Sequence, residues 1–206
     1  GGELSATLDL TGSATAPRID GVVSLDALTS RGQPVGALAA EVAYADNLLG
    51  IDAVLTHVDG ETLTVEGSVP FAFTLADAVG QAPLDDERVN LRARATAFPI
   101  DWARPFLDDR VYNALGGTLR LDLRVEGTQA SPQLDGVATL QDGRLGVVKT
   151  GRIYEPIVAD LTFQNDRIVL DDVRILDANG RTALDVTGDI RFSELSVGEF
   201  DLTITP

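Results

Sequence analysis

The chain has 206 residues, with 32 acidic against 16 basic side chains, and its net charge of −16 argues against nucleic acid or an anionic membrane surface as a partner. It has no cysteine, which excludes disulfides and thiol chemistry. Hydrophobic residues make up 44% of the chain but aromatic residues only 5%, so its apolar surfaces are mainly aliphatic.

Alternation of apolar and polar residues predicts an all-β chain. In the first half this period of two, typical of half-buried strands, covers residues 3–11, 18–27, 35–44, 48–58, 62–69 and 89–97. Turn-forming residues separate these segments, among them Gly12 and the Asp59-Gly60 pair. The alternation stops over residues 75–87, where we expect one helical turn at 76–79 and a polar loop at 80–87. The pattern predicts a meander of antiparallel strands.

Residues 99–115 form the only predicted helical insert. Asp101 is a candidate N-cap, Trp102 and Phe106 lie at helical spacing, and Gly116 would end the helix. We expect this insert to cover one end of the sheet. It would separate a unit of residues 1–98 from a unit of residues 116–206 within one elongated body.

The second half of the chain repeats the first. Residues 1–25 match residues 116–140 without gaps at ten of 25 positions, including Gly12/Gly127 and Gly21/Gly136. With four residues added in one turn, the correspondence continues for roughly seventy residues per copy. Units that each have one apolar face build a continuous apolar wall when they lie in register. Strands are predicted over residues 118–126, 133–141, 144–148, 156–163, 167–176, 184–192 and 200–204.

No group of residues predicts an enzyme, a cofactor site or a metal site. His57 is the only histidine, and without a cysteine or a second histidine it does not predict an ordinary zinc site. The acidic clusters at 85–87, 108–109 and 171–172 lack the spacing of a calcium loop, and we interpret them as solvated loop acids. Glycines at strand ends, such as Gly12 and Gly136, indicate tight turns, bulges or sheet curvature.

The chain begins in the middle of the repeat pattern, at Gly1-Gly2. It contains no methionine and no run of eighteen apolar residues. We therefore expect it to be a piece of a longer protein, with any targeting signal or membrane anchor outside it.

The order of these elements resembles the TamB family, within the wider AsmA-like group of bacterial envelope proteins. The segment PIDWARPFL is similar to the short helical link that precedes units of that family. The other matching elements are the Gly-x-Leu-x-Leu strand that opens the second copy, the Gly127-Thr128 turn, the step from Pro132 to Gly136, the strand at 157–161, the Ile168-x-Leu170 strand and the closing segment 188–190.

The resemblance implies a long antiparallel sheet folded into a U, a shape described as a taco, with an aliphatic concave groove. Members are anchored in the inner membrane, cross the periplasm and resemble bridge-type proteins that carry phospholipid toward the outer membrane. Some cooperate with an outer-membrane barrel-assembly protein. We expect this chain to be a periplasmic segment of such a bridge, without enzymatic activity, with phospholipid or another acyl lipid and neighbouring repeats as partners.

The candidate groove residues are the apolar members of the alternating strands. A smooth aliphatic wall favours weak, sliding, non-selective binding of acyl tails. The alternative is a structural scaffold that assists outer-membrane protein assembly or secretion, in which the same side chains fill a closed core. The candidates are Leu4, Leu8, Leu10, Leu38, Val42, Leu63, Val65, Leu119, Leu121, Leu123, Val125, Ile157, Leu161, Phe163, Ile168 and Leu170.

Overall fold

A computed structural model describes residues 1–30, 33–72, 88–128, 131–176, 181–193 and 196–206. These residues form one open antiparallel sheet in which each strand is hydrogen-bonded to the next along the chain, so the predicted all-β meander is confirmed. The strands are β1 (Glu3–Gly12), β2 (Pro17–Ser30), β3 (Gln33–Ala45), β4 (Leu48–His57), β5 (Thr62–Pro70), β6 (Arg88–Pro99), β7 (Tyr112–Thr128), β8 (Pro132–Val147), β9 (Arg152–Asn165), β10 (Arg167–Leu176), β11 (Thr182–Ser193) and β12 (Ser196–Thr205).

The predicted helix over residues 99–115 is wrong in type and length. A 3₁₀ helix covers Ile100–Phe106, and a second, three-residue 3₁₀ helix covers Val148–Thr150. The N-cap of the first is Pro99, not Asp101, and Gly116 lies inside β7. β7 is hydrogen-bonded to β8, and just beyond the ends of the two strands the amide of Val148 donates a 2.9 Å hydrogen bond to the carbonyl of Val111. Tertiary pairing thus extends β7 into the predicted helix.

The contacts divide the chain into two compact units. Unit 1 contains residues 1–94 and 124–133, and unit 2 contains residues 95–123 and 134–206. The division crosses β6, β7 and β8 rather than falling between strands.

The two sequence copies fold alike in their first turn. Gly12 and Gly127 both have positive φ, at 86° and 96°. In each copy the next residue and the residue three positions later exchange two backbone hydrogen bonds, Ser13 with Ala16 and Thr128 with Ser131. A Cβ at either glycine would lie within 2.5 Å of a carbonyl oxygen, so the turn excludes side chains there.

A β-bulge recurs at the same place in both copies. In β2 the pairing with β3 shifts between Leu25 and Leu28, and in β8 the pairing with β9 shifts between Leu140 and Gly143. Each shift contains a non-glycine residue with positive φ, Ala27 at 49° and Asp142 at 51°. One extra residue in β2, and one in β8, bends the strand locally and lets it continue to pair with the next strand beyond the bulge. As a result β2 continues to Ser30, and the two strands predicted over 133–141 and 144–148 are one.

Strand pairing also repeats, with one informative difference. Val42 pairs with Ile51 and Ile51 with Gly67 in the first copy, and the equivalent residues pair in the second. By contrast Gly21 pairs with Val42, whereas its counterpart Gly136 pairs with Phe163, two residues beyond the equivalent position. A shift of two preserves the face on which each side chain lies, and a shift of one would reverse it.

Candidate functional site

One face of unit 1 is apolar across five strands. Cross-strand pairs place the predicted residues Leu4, Leu8, Leu10, Leu38, Val42, Leu63 and Val65 on the same side of β1 to β5. We call this set of paired residues the apolar face of unit 1. Its four rows are Leu4-Leu25-Leu38-Leu55-Leu63, Ala6-Val23-Ala40-Ala53-Val65, Leu8-Gly21-Val42-Ile51-Gly67 and Leu10-Ile19-Tyr44-Leu49-Val69.

Unit 2 carries an equivalent face on β8 to β12. The predicted residues Ile157, Leu161, Phe163, Ile168 and Leu170 all lie on it. We call this set the apolar face of unit 2. Its rows are Gly136-Phe163-Ile168-Ile190-Phe200, Ala138-Leu161-Leu170-Gly188-Leu202, Leu140-Ala159-Val173-Val186-Ile204 and Gly143-Ile157-Ile175-Leu184.

The remaining candidates alternate along β7. Leu119, Leu121, Leu123 and Val125 are half-buried, and the polar residues between them are exposed. A Cβ built on Gly136 would lie 2.9 Å from the Cα of Leu123, so the backbone of β7 passes close to β8 at that glycine. Position 123 thus lies next to the first row of the apolar face of unit 2.

The apolar faces are open to different degrees. In β1, Leu4 is 69% exposed and Leu8 57%, whereas Leu55 in β4 is 6% exposed. In β12, Phe200 is 70% exposed. Among the described residues no large side chain is less than 2% exposed, although a closed core with this many aliphatic residues would contain fully buried ones. The described faces are thus exposed at β1 and β12 and include buried residues on the strands between them.

The opposite face of unit 1 is polar and acidic. Glu41 pairs with Asp52, and Asp52 with Glu66, so three carboxylates lie in one row across β3 to β5. Asp9 and Asp20 are also direct cross-strand partners. An open depression of about 570 Å³ lies on this side of the sheet, and Thr7 and Val22 are among the residues that line it. Like charges in direct opposition destabilise a sheet, so the acidity has an energetic cost at low salt.

The same polarity holds in unit 2. Asp160 pairs with Asp172 and Asp189 with Asp201, on the face opposite the apolar one. The side chain of Asp172 also forms a 2.6 Å ion pair with Arg174. Asp171 and Asp172 both lie inside β10, so their interpretation as loop acids is wrong. Both units thus combine an aliphatic face with a charged one.

His57 lies at the end of β4 beside two carboxylates of the following turn. Its Nδ1 atom is 3.5 Å from Asp59 and 3.7 Å from Glu61, and its side chain is 7% exposed. The amide of Asp59 also donates a 3.3 Å hydrogen bond to Nδ1. The sequence did not predict this grouping, because Glu61 comes within reach only through the tight β4–β5 turn. The ligand atoms of His57, Asp59 and Glu61 lie within 4.8 Å of one another, and one nitrogen with two carboxylates is a donor set that suits a cation.

Trp102 and Asp108, which the sequence singled out, have structural roles. Trp102 packs edge-on against Phe98, with ring centroids 6.5 Å apart, which attaches the first 3₁₀ helix to β6. Asp108 accepts a 2.8 Å hydrogen bond from the amide of Arg110 and stabilises the turn before β7. The predictions for residues 75–87, including the acidic cluster at 85–87, fall outside the described residues.

None of the helices in the described part of the chain has the length and apolar character needed to span a membrane. Comparison with known protein families, with characterised proteins and with solved structures finds no match to this chain. The resemblance to the TamB family therefore stays a prediction from the sequence elements.

Proposed function

We propose that this chain binds phospholipid acyl tails along its two apolar faces, as one segment of a protein bridge that carries lipid between membranes. One observation carries the proposal. Each unit presents four apolar rows across four or five paired strands, and the outermost side chains of those rows are largely exposed.

The size of the apolar face suits an acyl tail. From Leu4 to Leu10 the face extends about 20 Å along β1, and five strands span about 19 Å across the sheet. These dimensions enclose about 400 Å², the size of the largest apolar patch on a typical monomer, which is often functional. Each CH₂ group removed from water contributes about 0.8 kcal/mol to the free energy of binding. Removing half of a long acyl tail from water therefore contributes on the order of several kcal/mol.

The chemistry of the face favours mobile lipid over a fixed ligand. Tyr44 supplies the only polar side-chain atom in the four rows of unit 1, and its hydroxyl donates a 3.3 Å hydrogen bond to Asn47. No polar group in those rows is thus left to hold one headgroup. Binding without a specific headgroup contact allows a tail to slide along the rows.

The resemblance to the TamB family supports the cellular setting of the proposal. In that setting the chain lies in the periplasm, within a protein anchored in the inner membrane. Neighbouring repeats of the longer protein would continue the apolar surface. An outer-membrane barrel-assembly protein would bind the end of this bridge that lies at the outer membrane. The exposure of Leu8 and Phe200 favours this open surface over a scaffold with a closed core.

The test is the lipid content of the chain and of two matched variants. The purified chain is incubated with phosphatidylcholine vesicles, separated from them and analysed for bound phospholipid by mass spectrometry. Leu8→Asp places a charge on the apolar face, and Val22→Asp places the same charge at a similarly exposed position, 52% against 57%, on the polar face. We expect Leu8→Asp to lower bound lipid severalfold and Val22→Asp to leave it unchanged. Absence of lipid from the parent chain, or equal loss in both variants, contradicts the proposal.

A further inference from the structure

The turn between β4 and β5 brings the side chains of His57, Asp59 and Glu61 together. His57 ends β4, and its amide donates a 2.8 Å hydrogen bond to the carbonyl of Glu61 on the opposite side of the turn. Gly60 has a φ of 100°, and its amide donates a 2.9 Å hydrogen bond to the carbonyl of His57. Asp59 lies between them at the tip of the turn. The backbone of residues 57–61 thus fixes where the three side chains start.

The distances between the three side chains fit one metal ion between them. Nδ1 of His57 is 3.5 Å from a carboxylate oxygen of Asp59 and 3.7 Å from Oε2 of Glu61. Both distances exceed those of charge-assisted hydrogen bonds, which are about 2.7–2.9 Å. In a tetrahedral site with metal–ligand distances of about 2.1 Å, two ligand atoms lie about 3.4 Å apart. The separations therefore suit a shared metal ion better than direct hydrogen bonds.

Nδ1 of His57 presents a lone pair to the two carboxylates. The amide of Asp59 donates a 3.3 Å hydrogen bond to this atom. Because an amide nitrogen only donates, Nδ1 is the acceptor and carries no proton in this contact. An imidazole nitrogen without a proton is a ligand for transition metals. The surrounding residues hold the ring in place, since the side chain of His57 is 7% exposed.

Glu61 places a carboxylate oxygen where a positive charge would stabilise it. Among the described residues, its Oε2 atom is buried and has no hydrogen-bond partner. Burial of a charged group without such a partner costs free energy. Asp59 brings a second negative charge within 4.8 Å, which adds repulsion. A cation bound at the turn offsets both effects, and the net charge of −16 attracts cations to the chain in general.

We propose that His57, Asp59 and Glu61 bind one divalent transition-metal ion of the zinc class. An imidazole nitrogen favours zinc over magnesium and calcium, which prefer oxygen ligands alone. Three protein ligands leave the fourth tetrahedral position to water, as in open zinc sites. The side chain of Asp59 is 74% exposed, so the ion enters from the solvent side of the turn. This site differs from the ordinary histidine and cysteine sites that the sequence argued against, because the turn supplies two of its three ligands as carboxylates.

The single histidine of the chain makes the site directly measurable. Purified without a histidine tag, the chain has one imidazole and no thiol. Zinc chloride is titrated into the metal-free chain, with calorimetry for stoichiometry and affinity and NMR of the ring nitrogens for the ligand atom. Asp59→Asn and Glu61→Gln each remove one ligand charge. Asp52→Asn removes the same charge from the polar face of β4 as the control, and circular dichroism checks that each variant folds.

We expect about one zinc ion per chain and a shift of the Nδ1 resonance of His57 that is complete at about one equivalent. Asp59→Asn and Glu61→Gln should each lower the zinc affinity at least about tenfold, and Asp52→Asn should leave it unchanged. Magnesium in about tenfold excess should not displace the zinc.

Four results would overturn the proposal. The first is a chain that binds no zinc, and the second is bound zinc that leaves both ring resonances of His57 unchanged. The third is displacement of zinc by magnesium. The fourth is an affinity that Asp59→Asn and Glu61→Gln lower no more than Asp52→Asn does.

Discussion

Replacement of Gly136 by alanine should destabilise the chain strongly. Gly136 has a φ of 147°, and a Cβ built there would lie 2.1 Å from the carbonyl oxygen of Asp122. The oxygen belongs to the backbone of β7, so relief requires the two strands to separate. Positive φ alone costs a non-glycine residue about 1–2 kcal/mol, and the clash with the neighbouring strand adds to it. We expect the free energy of unfolding to fall by about 2–4 kcal/mol.

Gly50 provides the matched control. Its added Cβ would meet only Ala43, at 3.4 Å from the carbonyl oxygen and 3.8 Å from Cβ, which is ordinary contact. Gly50→Ala should change stability by less than about 0.5 kcal/mol, or raise it slightly by restricting the unfolded chain. Urea unfolding followed by circular dichroism measures both variants. A Gly136→Ala variant as stable as Gly50→Ala would refute the close β7–β8 approach.

Three further substitutions test burial, charge and the His57 contacts. Leu55→Ala should lower the free energy of unfolding by about 2–4 kcal/mol because Leu55 is 6% exposed, whereas Leu8→Ala should cost about 1 kcal/mol or less; equal costs in urea unfolding would contradict the graded exposure. Asp52→Asn removes a charge between Glu41 and Glu66 and should raise stability by about 0.2–1 kcal/mol, with a gain that shrinks in 1 M salt; a gain independent of salt would exclude repulsion as the cause. His57→Ala should cost about 1–3 kcal/mol, since it removes a buried ring beside two carboxylates; a thermal midpoint equal to that of the parent would show that these contacts do not stabilise the turn.

Period-two alternation was sufficient to predict most of the strands, although the start of β7 was predicted as helix and β8 as two strands. Leu8, Val42 and Leu161 lie on apolar faces because side chains alternate strictly between bulges. The candidate set was incomplete, since it did not include Leu55 or Ile51, which belong to the same rows. Every apolar residue of an alternating strand should therefore be counted as a candidate for the apolar face.

The features that sequence reasoning missed depend on contacts between strands. The bulges at Ala27 and Asp142 arise where pairing with the next strand gains a residue, and neither residue type signals a bulge. Residues 112–115, which were predicted as helix, belong to β7 because that strand pairs with β8. Glu61 reaches His57 only because the β4–β5 turn is tight.

We propose that lipid lies on the apolar faces and not elsewhere on the sheet. Photo-crosslinking from two adjacent positions of β9 measures this directly, because Leu161 lies on the apolar face and Thr162, the next residue, lies on the opposite one. A photoreactive residue is placed at each position in turn, and the chain is irradiated with phosphatidylcholine vesicles. Lipid binding on the apolar face predicts phospholipid adducts from position 161 and none above background from position 162. Equal labelling of both positions, or of neither, would contradict it.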